Sequence, residues 1–370
     1  MKLKYNLYFL FIIASGLVYS YTTTIVAQSV LENKLIILAL SAVISLLIFV
    51  DLQKLHLLSR ISLNSFFYLG IILCGIIAAI SLFSTNAYTY VIFYFFINII
   101  ISVVILLFEN EILTEELNLS NGFLNLASVR NLAKLFGFAI GALLINVPSY
   151  YFIAFILLIF STSVLLLKEK FVLRKHVEEK KLDSRFKNLN KKRYFVILGV
   201  LATTTTIWIP IFVNDFIQED MQKLSFVPFV LPGIAIFIVL ELVKRNILST
   251  IFKKPIAVYL IVSLLFMLYL LYIPFVWVGV ILFSLLTAIG ILVSIDLRKT
   301  FLEANVAIDS KFVLQSLYLN GAIFLLIFSS IYKYLEVLQF VIIILNSISM
   351  IYLMRERVKL NMSNSRATVE

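Results

Sequence analysis

"VRNLAKLFGFAIGALLI", residues 129–145, sets two cations and two glycines in a long apolar run. Two cations, Arg130 and Lys134, open a run of leucine, isoleucine, phenylalanine and alanine that carries Gly137 and Gly141 four residues apart. A soluble core helix has no use for paired cations on so apolar a stretch, because buried charge is costly unless it is matched. A helix crossing a membrane accounts for both features. Its basic side chains can reach back to an interface, and its small residues let a neighbouring backbone come close.

The rest of the chain agrees. Of its 370 residues 62% are hydrophobic and 14% charged, whereas soluble domains run at about half apolar and about a quarter charged. A soluble fold cannot hide that excess in one core. Lipid is the solvent for most of this chain. A span needs roughly 20 apolar residues to cross about 30 Å of hydrocarbon. That ruler sets spans at 6–28, 34–50, 63–84, 87–108, 122–146, 149–167, 194–214, 224–243, 255–272, 274–295, 311–332 and 335–354. The first, with Lys2 and Lys4 ahead of it, begins like a secretory signal. Its apolar stretch is long, no small-x-small cleavage site follows, and eleven more spans come after, so it reads as a retained span.

The cations set the direction. With the N-terminus cytoplasmic, 28 of the 31 lysines and arginines fall inside, and only Lys34, Lys223 and Lys333 fall outside. Basic loops stay inside, so the expectation is an all-α polytopic membrane protein of about twelve helices with both termini cytoplasmic. The net charge of +11 would suggest nucleic acid for a soluble protein. Here it is spread along one membrane face with no basic-and-aromatic module, which excludes that partner and favours anionic membrane lipid.

The longest polar stretch, Lys168–Arg193, has six spans on either side. It divides the chain into an N-terminal half (1–167), a charged cytoplasmic linker (168–193) and a C-terminal half with a short basic tail (194–370). Six plus six is an arrangement common in secondary transporters. The segments "EELNLSNGFLNLASVRN" before span five and "LEANVAIDSKFVLQSLYLN" before span eleven correspond, each running from acidic-polar chain into a helix. His56 and His176 stand alone and Cys74 is the single cysteine, so no metal site is expected. No Gly-rich phosphate loop or Gly-x-Ser-x-Gly appears, and no polar stretch is long enough for a nucleotide-binding domain. Neither catalytic residues nor cofactors are expected.

On these residues the chain resembles drug exporters of the major facilitator superfamily, of the macrolide-efflux and enterobactin-exporter type. "LFGFAIGALL" is similar to their span-five signature, Gly-Pro-x-x-Gly-Gly after a leucine, with Phe138 in place of the proline and Ala142 in place of the second glycine. Glu115–Leu165 resembles their spans five and six, and Gly290–Gly321 their passage from span ten to eleven. The family's loop after span two, Gly-x-x-x-Asp-Arg-x-Gly-Arg-Arg/Lys, is degenerate here: "VDLQKLHLLSR" keeps Asp51, Lys54 and Arg60 but neither glycine. The loop after span eight, "ELVKRNILSTIFKK", is degraded as well.

The resemblance implies a central path lined by spans one, four, seven and ten. The candidates for contact with substrate are Ser15, Tyr19 and Thr22, which share a helix face, Asn98, then Thr203, Thr206 and Trp208, then Ser284, Thr287 and Ser294. None carries a fixed charge, and a neutral aromatic-and-hydroxyl lining suits a bulky, largely apolar substrate. Asp51, Asp215, Glu241 and Asp296 fall near span ends, and no charge is expected at the bilayer centre, where it would be expensive. Arg130 and Lys134 are placed in the first turns of span five, reaching to the cytoplasmic face. Asp296 and Arg298 are candidates for a gate pair with those two cations, and Asp215 for proton coupling. Gly137 and Gly141 are expected to pack on a helix of the other half.

The reading is a monomeric secondary transporter of the bacterial cytoplasmic membrane. It exports an amphipathic or hydrophobic small molecule or peptide by alternating access, driven by protons. A membrane-embedded glycan polymerase would need a sizeable external loop bearing catalytic arginines or acids, and the external loops here are short and nearly cation-free. A transport-dead relative acting in immunity or sensing is the other alternative, suggested by the degenerate loop after span two.

Overall fold

In hydrocarbon each backbone polar group must be satisfied inside its own segment, which leaves the helix as the open-ended solution. The computed structural model describes residues 2–28, 63–83, 86–115, 119–145, 147–167, 208–219, 221, 224–245, 247, 254–272, 275–303 and 340–355, and these are helical almost throughout. The helices are α1 (Lys2–Gln28), α2 (Leu63–Phe83), α3 (Ala87–Glu115), α4 (Leu119–Leu144) and α5 (Ser149–Leu166). They continue as α6 (208–218), α7 (Val227–Lys244), α8 (Pro255–Tyr272), α9 (Val276–Glu303) and α10 (340–355). Among the described residues, seven of them, α1 to α5, α7 and α9, are long and apolar enough to cross a membrane. Expected spans two and eleven, the linker 168–193 and residues 194–207 of span seven lie outside the described residues.

These helices are apolar all round, as lipid-embedded helices are. Large apolar side chains such as Ile72, Leu143, Leu158, Ile261 and Phe275 stand exposed. On a water-soluble protein that much exposed apolar surface would drive aggregation, whereas in a bilayer it is the lipid-facing surface.

The buried side chains fall into two large clusters. One is drawn from α1 to α5, including Tyr8, Phe11, Tyr21, Phe93 and Phe152. The other is drawn mainly from α6 to α10, with Trp208, Phe229, Phe266 and Phe283, and takes in Ala27 and Phe138 from the first group of helices. At the centre of the first cluster, α1 packs against α3 and α4, while α2 packs on α5 behind it. Stacked rings such as Tyr21 on Phe152, with centroids 4.1 Å apart, tie α1 to the outer helices. The segment that begins like a signal peptide is therefore core.

Contacts also give the helix directions. On α1 and α3, Tyr8 meets Glu109 and Tyr21 meets Tyr90, so the pair is antiparallel. On α1 and α4, Tyr8 meets Arg130, Gly16 meets Gly137 and Ser20 meets Gly141, so that pair is parallel. On α4 and α7, Phe138 meets Phe229 and Leu135 meets Gly233, an antiparallel arrangement. Alternation of spans one, four, five and eight demands these directions.

Candidate functional site

The helix that carries the opening stretch, α4, is where the two groups of helices meet: it packs on α1 on one side and on α7 and α9 on the other. Its two faces are built differently. Toward α1 the contact is made by backbone. A Cβ placed on Gly137 would run into the Ile13 carbonyl oxygen and lie 2.9 Å from the Leu17 nitrogen and 3.1 Å from the Gly16 Cα. One placed on Gly16 would lie 2.9 Å from the Lys134 carbonyl oxygen. One turn further along, a Cβ on Gly141 would meet the Ser20 hydroxyl oxygen. Small residues at i and i+4 on both helices, Gly16 and Ser20 against Gly137 and Gly141, let the two backbones touch. Dispersion is the main force available between helices in lipid, so close approach supplies the stabilisation. The partner of Gly137 and Gly141 is thus α1, in the same group of helices. The expected partner across the halves is replaced because α1 carries the matching small pair.

Charge sits deeper than expected. Helix α4 starts at Leu119, so Arg130 lies about three turns in and Lys134 about four, instead of in the opening turns. The Lys134 backbone faces Gly16, near the middle of α1. Arg130 is held in a three-helix network. Its guanidinium pairs with the Glu109 carboxylate of α3, and its Nε donates to the Tyr8 oxygen at 3.3 Å. The Tyr8 hydroxyl donates in turn to Glu109 Oε1 at 2.7 Å. Glu109 is 4% exposed. Mutual hydrogen bonding and charge cancellation make such a buried group tolerable, and removing one partner leaves the other uncompensated. Glu109 was not singled out from sequence. It sits just past the apolar run of span four, in "LFENEILTEE", where acids cluster at a span end and any one of them reads as interfacial.

The angular positions on α4 place Lys134. At 100° per residue, Arg130, Gly137 and Gly141 share the face turned to α1, while Ala127, Leu135 and Phe138 form the face turned to α7 and α9. Lys134, one turn from Arg130 and one turn from Phe138, falls on the line between them. The exposed residues of this stretch, Phe136, Ala139 and Leu143, stand on the opposite side. The half-buried Lys134 therefore points into the protein.

Next to this line an aromatic group bridges the helices. Tyr19 of α1 packs edge-on against Phe229 of α7, centroids 5.7 Å apart, and near Tyr94 of α3 at 6.4 Å. Phe229 also meets Phe138 of α4 at 5.5 Å. Helix α7 holds Pro232 within it, one turn past Phe229 and followed by Gly233. A proline there removes one backbone hydrogen bond and is a common origin of bends.

The other predicted site residues divide. Tyr19 lies on the bridging face of α1, Thr22 is fully buried, and the hydroxyl oxygens of both lack a hydrogen-bond partner among the described residues. Ser15, half-buried, precedes Tyr19 by one turn on that face. Asn98 follows Tyr94 by one turn on the α3 face turned to α1. Trp208 is fully buried, but against Phe212 of its own helix and Phe266 of α8. The hydroxyls of Ser284 and Thr287 bond back to the Val280 and Ser284 carbonyl oxygens of α9, the self-satisfying pattern of hydroxyls in spanning helices. Ser294 is half-buried and Asp296 buried on α9. Asp215 stands at the end of α6 beside Glu219, and burial, with that second carboxylate, pushes its carboxyl up to about 6. Asp51, Thr203, Thr206 and the side chain of Arg298 lie outside the described residues.

Parallel and antiparallel pairs around a central first helix, and two buried clusters joined through α4 and α7, define an architecture of two packed groups of helices. No protein-family model matches the chain, and no curated protein matches it in sequence. Solved structures do match. The human organic anion transporter MFSD10 (TETRAN) is 12% identical with a TM-score of 0.59, over 94% of this chain and 98% of that one. The nucleoside transporter NupG is 11% identical with a TM-score of 0.59, over 96% of this chain and 99% of that one. The major facilitator superfamily transporter FucP, in its outward conformation, is 15% identical with a TM-score of 0.56, over 95% and 97%. At such identities the likeness establishes the fold: this chain has the fold of major facilitator superfamily transporters.

Proposed function

We propose that this protein is a secondary transporter that exports an amphipathic or hydrophobic small molecule or peptide by alternating access, driven by protons, across a bacterial cytoplasmic membrane. In this reading it has twelve spans in two halves, 1–167 and 194–370, joined by the basic linker, with both termini cytoplasmic. The observation that carries it is the match to transporter structures along 94% to 96% of the chain. The build of α4 supports it. A backbone contact holds α4 to α1, and a side-chain contact, able to part and re-form, holds it to α7.

The test is uptake into everted membrane vesicles carrying the chain, with an imposed proton gradient, using fluorescent amphiphiles of neutral, cationic and anionic type. Accumulation of one class, abolished when the gradient is collapsed, is the expected result. Gradient-independent signals identical to those of vesicles without the chain would overturn the reading in favour of a transport-dead relative.

A further inference from the structure

Helix α4 carries two interior cations, and among the described residues only Arg130 is matched with an acid. Glu109 neutralises Arg130. Among the described residues no carboxylate lies within ion-pair distance of the Lys134 ammonium. That ammonium belongs to a half-buried residue on the side of α4 opposite its exposed face, on the line between the α1 and α7 faces. Charge in the middle of a spanning helix is expensive and marks a pathway or a binding site. A second observation points to the same junction. The Tyr19 hydroxyl oxygen, on the face of α1 that meets Phe229, is buried without a hydrogen-bond partner among the described residues, and an orphaned buried hydroxyl calls for an explanation such as a ligand. Apolar surface is supplied one turn from Lys134, about 6 Å along the axis, by Phe138 and by the Tyr19 and Phe229 rings that meet near it.

We propose that the junction of α1, α4 and α7 is a binding site for an anionic amphiphile. Its carboxylate, sulfonate or phosphate pairs with Lys134, a polar atom accepts from the Tyr19 hydroxyl, and its apolar body lies against Tyr19, Phe138 and Phe229. This rests on the transporter reading for the claim that the bound anion is cargo, and it replaces a neutral lining with one that carries a fixed positive charge.

The experiment uses the full chain in nanodiscs of zwitterionic lipid and three probes of one shape: naphthalene-2-sulfonate, 2-naphthol and 2-naphthyltrimethylammonium. Binding is read as a saturable rise in melting temperature, since a ligand bound to the folded state stabilises it by mass action. The sulfonate should bind more tightly than the other two. Lys134→Gln should weaken it at least tenfold while leaving naphthol unchanged, and Lys134→Arg should restore it. Without ligand, Lys134→Gln should melt no lower than wild type, because it removes an unmatched charge. Sulfonate affinity within twofold of wild type in Lys134→Gln, or a lower melting temperature of that variant without ligand, would overturn the site. Gradient-driven uptake of the cationic or neutral probe in vesicles, with no sulfonate binding, would sink this proposal and leave the transporter standing. Lys134-dependent sulfonate binding with no uptake of any probe would do the reverse.

Discussion

The two faces of α4 are made from different materials. Against α1, glycine meets backbone: Gly137 and Gly16 bring main chain onto main chain, and Gly141 sits against Ser20. Against α7, side chains interdigitate, with Phe138 on Phe229 and the end of the Leu135 side chain near Gly233. Side chains can change rotamer or slide and re-form elsewhere. A backbone contact has one geometry and no slack. Under the alternating access proposed above, the α1 face is the one suited to stay shut and the α7 face the one suited to part.

The largest expected effect is on the α1 face. Gly137→Ala puts a methyl group where the Ile13 carbonyl oxygen already lies, and overpacking of this kind typically costs about 1–3 kcal/mol. The melting temperature of the purified protein should drop clearly. Gly233→Ala is the matching change on the α7 face. Its Cβ would come 3.0 Å from the Leu135 Cδ1, the free end of a side chain that can turn away, so its melting temperature should stay near wild type. Equal losses in the two variants would break the comparison.

A smaller effect than that of Gly137→Ala belongs to neither face. At the end of α6, the Asp215 carboxyl is raised to about 6 by burial and by Glu219, and the Tyr269 ring of α8 shares their field. A carboxyl whose pKa is raised on folding binds its proton better folded than unfolded. Its contribution to stability is greatest below about 4 and is lost as the pH climbs through 6. Asp215→Asn should remove that loss. The variant should melt at or above wild type at pH 7.5, by on the order of 1 kcal/mol or less, and show a flatter dependence between pH 4.5 and 7. An unchanged slope would place the titrating group elsewhere.

Composition and cation placement made the membrane class, helical content and alternation of direction legible, because lipid imposes length and orientation rules on every span. The pair Gly137 and Gly141 was legible as a close contact, but its partner was not. Gly16 and Ser20 make the same spacing on α1, and a one-dimensional pattern cannot say which helices become neighbours. Arg130 reads as a snorkelling cation because it stands near the start of an apolar run, and its pairing with Glu109 is a contact between helices that sequence spacing does not show. The helix begins eleven residues earlier, at Leu119, and Glu109 lies within reach only after folding. Hydroxyls such as Ser284 and Thr287 looked like cavity lining, and the structure shows them bonded to their own helix.

The central claim, a fixed α1–α4 contact and a mobile α4–α7 contact, can be measured without knowing the substrate. Spin labels would be placed on the exposed residues Leu3, Asn125 and Lys244 of α1, α4 and α7, after Cys74→Ser removes the native thiol. Pulsed distance measurements in liposomes then compare the pair Leu3–Asn125 with the pair Asn125–Lys244. A fixed α1–α4 contact and a mobile α4–α7 contact give one narrow distance for Leu3–Asn125 and two populations for Asn125–Lys244. Two populations for Leu3–Asn125 with a single narrow distance for Asn125–Lys244 would contradict that claim.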